Sequence, residues 1–455
     1  MDILSYRNFF FIGIAGTGMS AIAQYLNGIG KNVFGSDRGF KDPSLIQTQF
    51  KNLGIKCFLQ DASGIDQNID VVVISTAIEE SNIELVKARS LNIPVITRSK
   101  LLAEISKNKK TIAVGGTSGK STTSAMIFHI LNKCGLEPSI IAGAGLTELQ
   151  KQGLPGNAWI GKSEWLVIEA DESDGSIVNY IPEIGLLLNV ERDHKEYDEL
   201  KEIFGIFKQH TKKYFIVNEG DEIAKTLSQN SNLNFSSKDK KAKFYGDNFV
   251  QNGFGINFYC NGVKFSIPII GKHNMENALA ATAVCSSIGL SIENCAKALE
   301  SYEGIYRRSQ LIGKSNKNVL VIDDFAHNPS EIACAIRSCQ NIGKRVFAWY
   351  QPHGFGPLKF TYKELIEEVC NAIRPQDIFI LSDVYYAGGT VNMDFTSKDV
   401  FDILHEKANN TTFFHDRNDI IPFFKEHCKE GDIILTMGAR DTSLSDFANK
   451  ILKEI

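Results

Sequence analysis

The stretch from Thr111 to Thr123 reads TIAVGGTSGKSTT and brings together the residue types that hold a polyphosphate. An apolar run, Ile112 to Val114, leads into a turn with Gly115, Gly116 and Gly119, then a lysine, then hydroxyl residues that open a helical pattern. Glycines let successive backbone N–H groups point into one concavity, and the following helix adds its positive N-terminal end. In such a P-loop Lys120 reaches the β- and γ-phosphates and the Ser121 hydroxyl ligates Mg2+. Val114 stands where the first glycine of G-x-x-x-x-G-K belongs, so an ordinary glycine-rich strand-to-helix turn is the competing reading. Strand, hydroxyl triplet and helix together favour an ATP-dependent protein.

A second glycine turn, Gly13, Gly16 and Gly18, follows the apolar run Phe9 to Ile14, and Asp37 lies nineteen residues beyond Gly18. It is close to the dinucleotide fingerprint, whose acid binds a ribose hydroxyl, but Ala15 replaces the second glycine. A nicotinamide or flavin site and a site for a different nucleotide, such as a UDP-sugar, both stay open on these residues. The run Trp165 to Ile168 ends in EADESD, from Glu169 to Asp174. Downstream of a P-loop such carboxylates hold Mg2+; a solvated acidic loop is the other reading. Asp193 and His194 follow the run Ile184 to Val190, and Asn274 is placed as the N-cap of a long helix that also carries Asn277. Arg307 and Arg308 adjoin where simple solvation would explain them equally well. Asp323, Asp324 and His327 close the run Val319 to Ile322, and a turn from Gln351 to Pro357, containing His353, closes the run Arg345 to Tyr350.

Positioning these groups calls for strands that end at one edge of a sheet. The first hundred residues alternate strand and helix patterns, which predicts a small parallel sheet with crossover helices. Thr111 begins a second such series and Val319 a third, separated by a polar, turn-rich excursion over 220–265. The chain is therefore predicted as α/β, and 455 residues suit two to four domains. A net charge of −4 without blocks of like charge argues against a nucleic-acid surface. The nine cysteines form no C-x-x-C pair and read as reduced core residues. No eighteen apolar residues run together and no signal peptide is evident, so a cytoplasmic protein with small-molecule partners, and no stable membrane insertion, is expected.

Taken jointly and in order, Gly13-x-x-Gly16-x-Gly18-Met19-Ser20, Gly35-Ser-Asp37, Gly116-Thr-x-Gly119-Lys120-Ser121-Thr122-Thr123, the Glu169 to Asp174 acids, Asn189-x-x-x-Asp193-His194, Gly271-x-His273-Asn274-x-x-Asn277, Arg307-Arg308 and Asp323-Asp324-x-x-His327-x-Pro329 resemble the Mur ligases over essentially the whole chain. The resemblance implies three domains: an N-terminal Rossmann-like domain for UDP-N-acetylmuramic acid (1–106), a central P-loop ATPase with a parallel sheet (107–309), and a C-terminal Rossmann-like α/β domain that brings in the amino acid (310–455). It implies that ATP phosphorylates the lactyl carboxylate and that an amine, L-alanine in peptidoglycan precursor synthesis, attacks the acyl phosphate. Another amino acid or a murein tripeptide is the alternative amine. A nucleotide-dependent oxidoreductase and an ATP-binding regulatory module are the readings from other classes.

Carried over by residue, the resemblance implies catalytic roles for Lys120, Glu169, His194, Arg308 and Asp324, with Mg2+ at Ser121, Glu169 and His194. ATP would lie against Gly116, Thr117, Ser118, Gly119, Lys120, Ser121, Thr122, Asn274, Asn277, Arg308 and Asp324. The sugar nucleotide would lie against Gly13, Ala15, Gly16, Thr17, Gly18, Met19, Ser20, Asp37 and Ser75, and the amino acid against His327, His353 and Lys359. The chain departs from the pattern at Ser118, where the family carries histidine, and at Ser309, where it carries phenylalanine. Gln351-Pro-His353 continues as Gly354-Phe355-Gly356-Pro357-Leu358-Lys359 in place of the arginines that help hold the amino-acid carboxylate. A weaker carboxylate grip, or a different amine, is expected.

Overall fold

Three consecutive phenylalanines open the first strand, β1 (Asn8–Ile12), and alternation sends them to opposite faces. Phe9 and Phe11 enter one core cluster, Phe10 and Ile12 another, so the strand is apolar throughout because both of its faces are covered. This computed structural model describes residues 3–173, 175–191, 196–229, 231–386, 394–441 and 443–455. Among them the strands form four sheets.

The first sheet runs β3 (Lys56–Leu59), β2 (Asn32–Asp37), β1, β4 (Val71–Ile74), β5 (Val95–Thr97), all parallel. The order reverses at β1, and the turn after β1 therefore faces the crevice where open α/β sheets bind ligands. Helix α1 (Thr17–Gly28) leaves that turn, followed by α2 (Leu45–Asn52), α3 (Ile83–Ser90) and α4 (Arg98–Lys107).

The second sheet has the order β11 (Tyr214–Val217), β10 (Ile184–Leu187), β6 (Lys110–Gly115), β9 (Trp165–Glu169), β7 (Ser139–Ile141), β8 (Ala158–Trp159), parallel except at the β7/β8 edge. Val114 of β6 pairs with Glu169 of β9, so the acid stands beside the start of the loop that leads into α5 (Lys120–Lys133). One continuous core cluster joins the two sheets: it takes in Phe9, Phe11, Ala21, Ile22 and Leu26, and also Ile141, Ala158, Leu166 and Ile168.

A four-stranded sheet follows, in the order β12 (Phe235–Ser236), β13 (Phe244–Asn252), β14 (Gly255–Cys260), β15 (Val263–Ile267). The last sheet runs β16 (Gln310–Lys314), β17 (Leu320–Asp324), β21 (Ile433–Met437), β18 (Val346–Tyr350), β19 (Ile378–Ser382), β20 (Thr411–Phe414), with only β16 antiparallel. By contacts the chain divides into two units: Met1–Asp247 with Tyr259–Phe265 and Glu276–Ile305, and Asn248–Phe258 with Ser266–Met275 and Tyr306–Ile455. No helix among the described residues is long and apolar enough to cross a membrane.

Two local expectations fail. The predicted turn Gln351 to Pro357 stops at Gly354, whose φ is +80°, and Phe355 opens a helix that continues to Ala372. Pro357 fits its first turn because the N–H that proline lacks would have had no helical acceptor there. Asn274 is not a cap: the helix runs His273–Ser287, and the Asn274 side chain donates to the Ile270 carbonyl at 2.7 Å.

Candidate active site

The loop between β6 and α5 is held open by glycines in left-handed backbone. Gly116 has φ +132° and Gly119 φ +87°. A Cβ on Gly119 would lie 2.6 Å from Asn277 Oδ1 and would hold a strained left-handed φ, so a side chain here would displace Asn277 as well as strain the backbone. That Asn277 oxygen also accepts from Thr123 Oγ1 at 3.2 Å. Part of the loop is already engaged: Thr117 N donates to the Asn189 carbonyl at 3.2 Å, and Ser118 N to Asn189 Oδ1 at 2.8 Å. The amides that face no intrahelical acceptor are those of the first turn of α5, Lys120 to Thr122.

Lys120 Nζ donates to Gly116 O at 2.7 Å, Thr117 O at 3.2 Å and Glu172 Oε2 at 2.8 Å. Burial alone would lower the Lys120 ammonium, but the carboxylates of Glu172, Asp171 and Glu169 outweigh it and hold its pKa above the ordinary value. Glu172 is pushed up by the same burial, against the pull of Lys120. Asp171 is held low: burial opposes this, but Lys120 and the Ser173 amide prevail. Ser121 Oγ donates to Glu169 Oε2 at 2.9 Å, and Glu169 Oε1 accepts from Gly143 N at 2.5 Å. A lysine, a hydroxyl and a carboxylate thus converge on a helix N-terminus, which is chemistry for a polyphosphate and a hard cation. Among the described residues no three His, Cys, Asp or Glu side chains are grouped as a metal cluster. His194 and Asp193 lie outside the described residues.

The turn after β1 gathers Gly13 to Ser20 beside Asp37. Asp37 Oδ2 accepts from Ala15 N at 3.1 Å and Oδ1 from Gly39 N at 2.9 Å, so this acid shapes the turn. Behind it, Ser36 Oγ donates to Glu84, a buried acid whose pKa burial raises. Ser75 follows directly on β4. Arg98, at the start of α4, was not singled out from the sequence. A Cβ on Gly18 would lie 2.9 Å from its Nη1, and its charge helps to hold Asp171 low.

In the second unit the two adjacent arginines part company. Arg307, at φ +56° and 4% exposed, buries its guanidinium: Nε donates to Asp323 Oδ2 at 2.9 Å and Nη2 to Gly438 O at 2.8 Å. Arg308 stays partly exposed, over the Phe325 ring and 3.9 Å from Glu331. Asp324 receives Ser309 N at 2.6 Å, Ser309 Oγ at 3.0 Å and Ala326 N at 2.7 Å, and so clamps the turn that presents Arg308. His327 and His353 stand with ring centroids 5.3 Å apart, and Lys359 is exposed on the helix Phe355–Ala372.

This sequence matches three family models in succession: the Mur ligase family catalytic domain over residues 8–110, the Mur ligase middle domain over 114–285, and the Mur ligase glutamate ligase domain over 307–440. It is 34% identical over 448 residues to the UDP-N-acetylmuramate–L-alanine ligase of Syntrophomonas wolfei, covering 94% of each chain. With the enzyme of that name from Dictyoglomus turgidum it shares 36% over 458 residues, 96% of this chain and 95% of the relative. Among solved structures it has the fold of the UDP-N-acetylmuramate-alanine ligase MurC of Thermotoga maritima, with a TM-score of 0.81 at 24% identity over 98% and 99% of the two chains. A murein peptide ligase from Psychrobacter arcticus shares that fold at a TM-score of 0.70 and 21% identity. The three successive family matches and these full-length likenesses lead to one conclusion: the chain belongs to the Mur ligase family.

Proposed function

We propose that this protein is an ATP-dependent ligase that joins L-alanine to the lactyl carboxylate of UDP-N-acetylmuramic acid in the cytoplasm, as a step of peptidoglycan precursor synthesis. The observation that carries the reading is the convergence of Lys120, Ser121 and Glu169 on the N-terminus of α5, in a chain that matches alanine ligases over nearly its whole length. Phosphoryl transfer needs charge neutralisation and alignment more than covalent help. Lys120 exchanges Glu172 for a phosphate oxygen when ATP binds, and the amides of Lys120 to Thr122 take further phosphate oxygens. Thr117, Ser118 and the glycines shape the loop, while Asn274 and Asn277 serve the adenine side.

Ser121 and Glu169 are hard oxygen donors that fit Mg2+, with His194 as the third member of that set; the ion supplies neutralisation of phosphate charge. The lactyl carboxylate attacks the γ-phosphorus, ADP leaves, and the amine then displaces phosphate from the acyl phosphate. Gly13 to Ser20, Asp37 and Ser75 hold the sugar nucleotide. Arg308 and Asp324 serve the nucleotide from the C-terminal domain, and His327, His353 and Lys359 the amino acid. To these three tasks we assign residues 1–106, 107–309 and 310–455.

The test is phosphate release and product mass with ATP, Mg2+ and UDP-N-acetylmuramate against a panel of amino acids, murein tripeptide and NAD. Alanine-dependent amide formation is expected. Turnover with tripeptide alone would move the reading to the recycling type, which the arginine-free segment Gly354 to Lys359 keeps in play. Nicotinamide-dependent turnover without ligation would overturn it.

A further inference from the structure

Asn157 immediately precedes β8, at the edge of the ATPase sheet, and is 4% exposed. Its Nδ2 donates to the Thr17 carbonyl at 2.8 Å and to Ser20 Oγ at 2.7 Å, while its Oδ1 accepts from Gln24 Nε2 at 2.7 Å. A side-chain amide offers two N–H donors and one carbonyl, and both kinds are used here on partners 133 to 140 residues away. All three partners lie on the first two turns of α1, in the other sheet's domain. Gln24 Nε2 closes the network on the Ser20 carbonyl at 3.0 Å.

The surrounding contact is apolar and close. Ala158 and Ile141 share a core cluster with Ala21 and Ile22, and a Cβ on Gly28 would lie 2.6 Å from Ile160 Cδ1. Apolar packing tolerates sliding, whereas an amide inside it does not: one residue of slip along α1 strands its polar atoms away from water. The Thr17 peptide adds a further tie. Its carbonyl also accepts from Ser20 Oγ at 2.9 Å, so Asn157 grips two groups that are already tied to each other at the start of α1.

We propose that Asn157 is a positioning residue that locks the sugar-nucleotide turn in register with the ATPase sheet. The inference rests on the function proposed above. Its consequence for catalysis is geometric: the carboxylate carried by one domain must meet the γ-phosphate carried by the other at about 3–3.5 Å, and a displacement of about 1 Å costs on the order of a hundredfold.

The experiment uses the full chain with Asn157→Ala and Asn157→Asp, measuring ligation, ATP binding and thermal midpoint from pH 6 to 8. Asn157→Ala is expected to lower kcat by roughly tenfold to a hundredfold and to raise the KM for UDP-N-acetylmuramate, with ATP affinity within about twofold. Asn157→Asp places a carboxylate against the Thr17 carbonyl at pH 8 and loses more than alanine does. Protonation restores one donor, so its activity relative to wild type rises by about tenfold toward pH 6, while the alanine variant's ratio stays flat.

Loss shared equally by all substrates, with no recovery of the aspartate variant in acid, would show mere structural support and overturn the proposal; so would activity within about threefold of wild type in both variants. Amide hydrogen exchange separates this inference from the function it rests on. If wild-type protein does not ligate, the functional reading falls, yet residues 16–20 of Asn157→Ala must still exchange faster than wild type. Unaltered exchange there refutes the lock by itself.

Discussion

Lys120→Ala tests the proposed phosphate cradle. The ammonium touches three oxygens, at 2.7, 3.2 and 2.8 Å, and its side chain is 16% exposed. Under the proposed function, truncation removes one preorganised cationic donor from the place where phosphoryl charge develops. A donor of that kind is worth about 2.7–4 kcal/mol, or roughly 10²–10³ in kcat. The fold loses less. Breaking a buried ion pair costs about 3–5 kcal/mol when the surviving charge stays charged, but Glu172, 7% exposed, already has its pKa raised by burial and takes up the proton instead. The double variant Lys120→Ala/Glu172→Gln then recovers thermal stability without recovering turnover. The assays are phosphate release, amide product and the thermal midpoint with and without ATP. A folded Lys120→Ala variant working within about threefold of wild type would refute the assignment. So would recovery of turnover in the double variant, because that would make Glu172 charge, and not the missing cation, the cause of the loss.

Glu84→Gln tests the buried acid behind Asp37. Burial raises the folded-state pKa of Glu84 above its usual 4.5, so its contribution to stability is fully present below 4.5 and is lost as pH rises through the folded value. Urea midpoints of the variant should therefore gain on wild type between pH 4.5 and 8, and a constant difference would show that Glu84 does not titrate differently on folding. Arg307→Met leaves Asp323 buried without its partner; because burial already raises the Asp323 pKa it takes up a proton as Glu172 does, and the cost in denaturant unfolding should fall below the about 3–5 kcal/mol of an uncompensated charge while still exceeding that of Arg308→Ala, which should stay within about 0.5 kcal/mol and lose ligation instead. Equal stability losses would contradict this division between the two arginines, and a larger loss for Arg308→Ala would reverse it. Asp37→Asn puts an N–H group against the amide of Ala15 or of Gly39. It should weaken UDP-N-acetylmuramate by roughly tenfold to a hundredfold in calorimetric titration while ATP binds as before, and equal weakening of both nucleotides would contradict it.

What could be read from the sequence was what local order encodes. An apolar run followed by glycines or acids marks a buried parallel strand with its ligand edge, and β1, β6, β9 and β17 lie where such runs occur. The pairing of Val114 with Glu169 is not local, yet it follows once the P-loop strand and the acid-ending strand share a sheet. Other features depend on contacts that no spacing announces. Arg307 and Arg308 are identical in type and adjacent, and only the buried Asp323 opposite one of them tells the structural residue from the exposed one. Gly354, Gly356 and Pro357 look like turn punctuation, but first-turn tolerance of proline lets a helix begin among them. Glu172 is one acid in an acidic run by sequence, and only its 2.8 Å contact with Lys120 sets it apart. Asn157 carried no signal, since a lone asparagine between glycine and alanine reads as loop.

Helix α1 buries Met19, Ser20 and every residue from Ala21 to Leu26, which is more of its circumference than one sheet can cover. A fragment severed after α4 would therefore present to water a face bearing Gln24 and the bare backbone of Gly28, shaped for Ile160 and Ala158. Such a fragment is poorly suited to ligand binding in isolation and prone to self-association. The same surface limits exchange between homologous chains. Grafting the first sheet and its helices onto a foreign partner sheet would need Ser20, Gln24 and Gly28 to travel with their counterparts Asn157 and Ile160, so the exchangeable unit here is the pair of sheets and not either one alone.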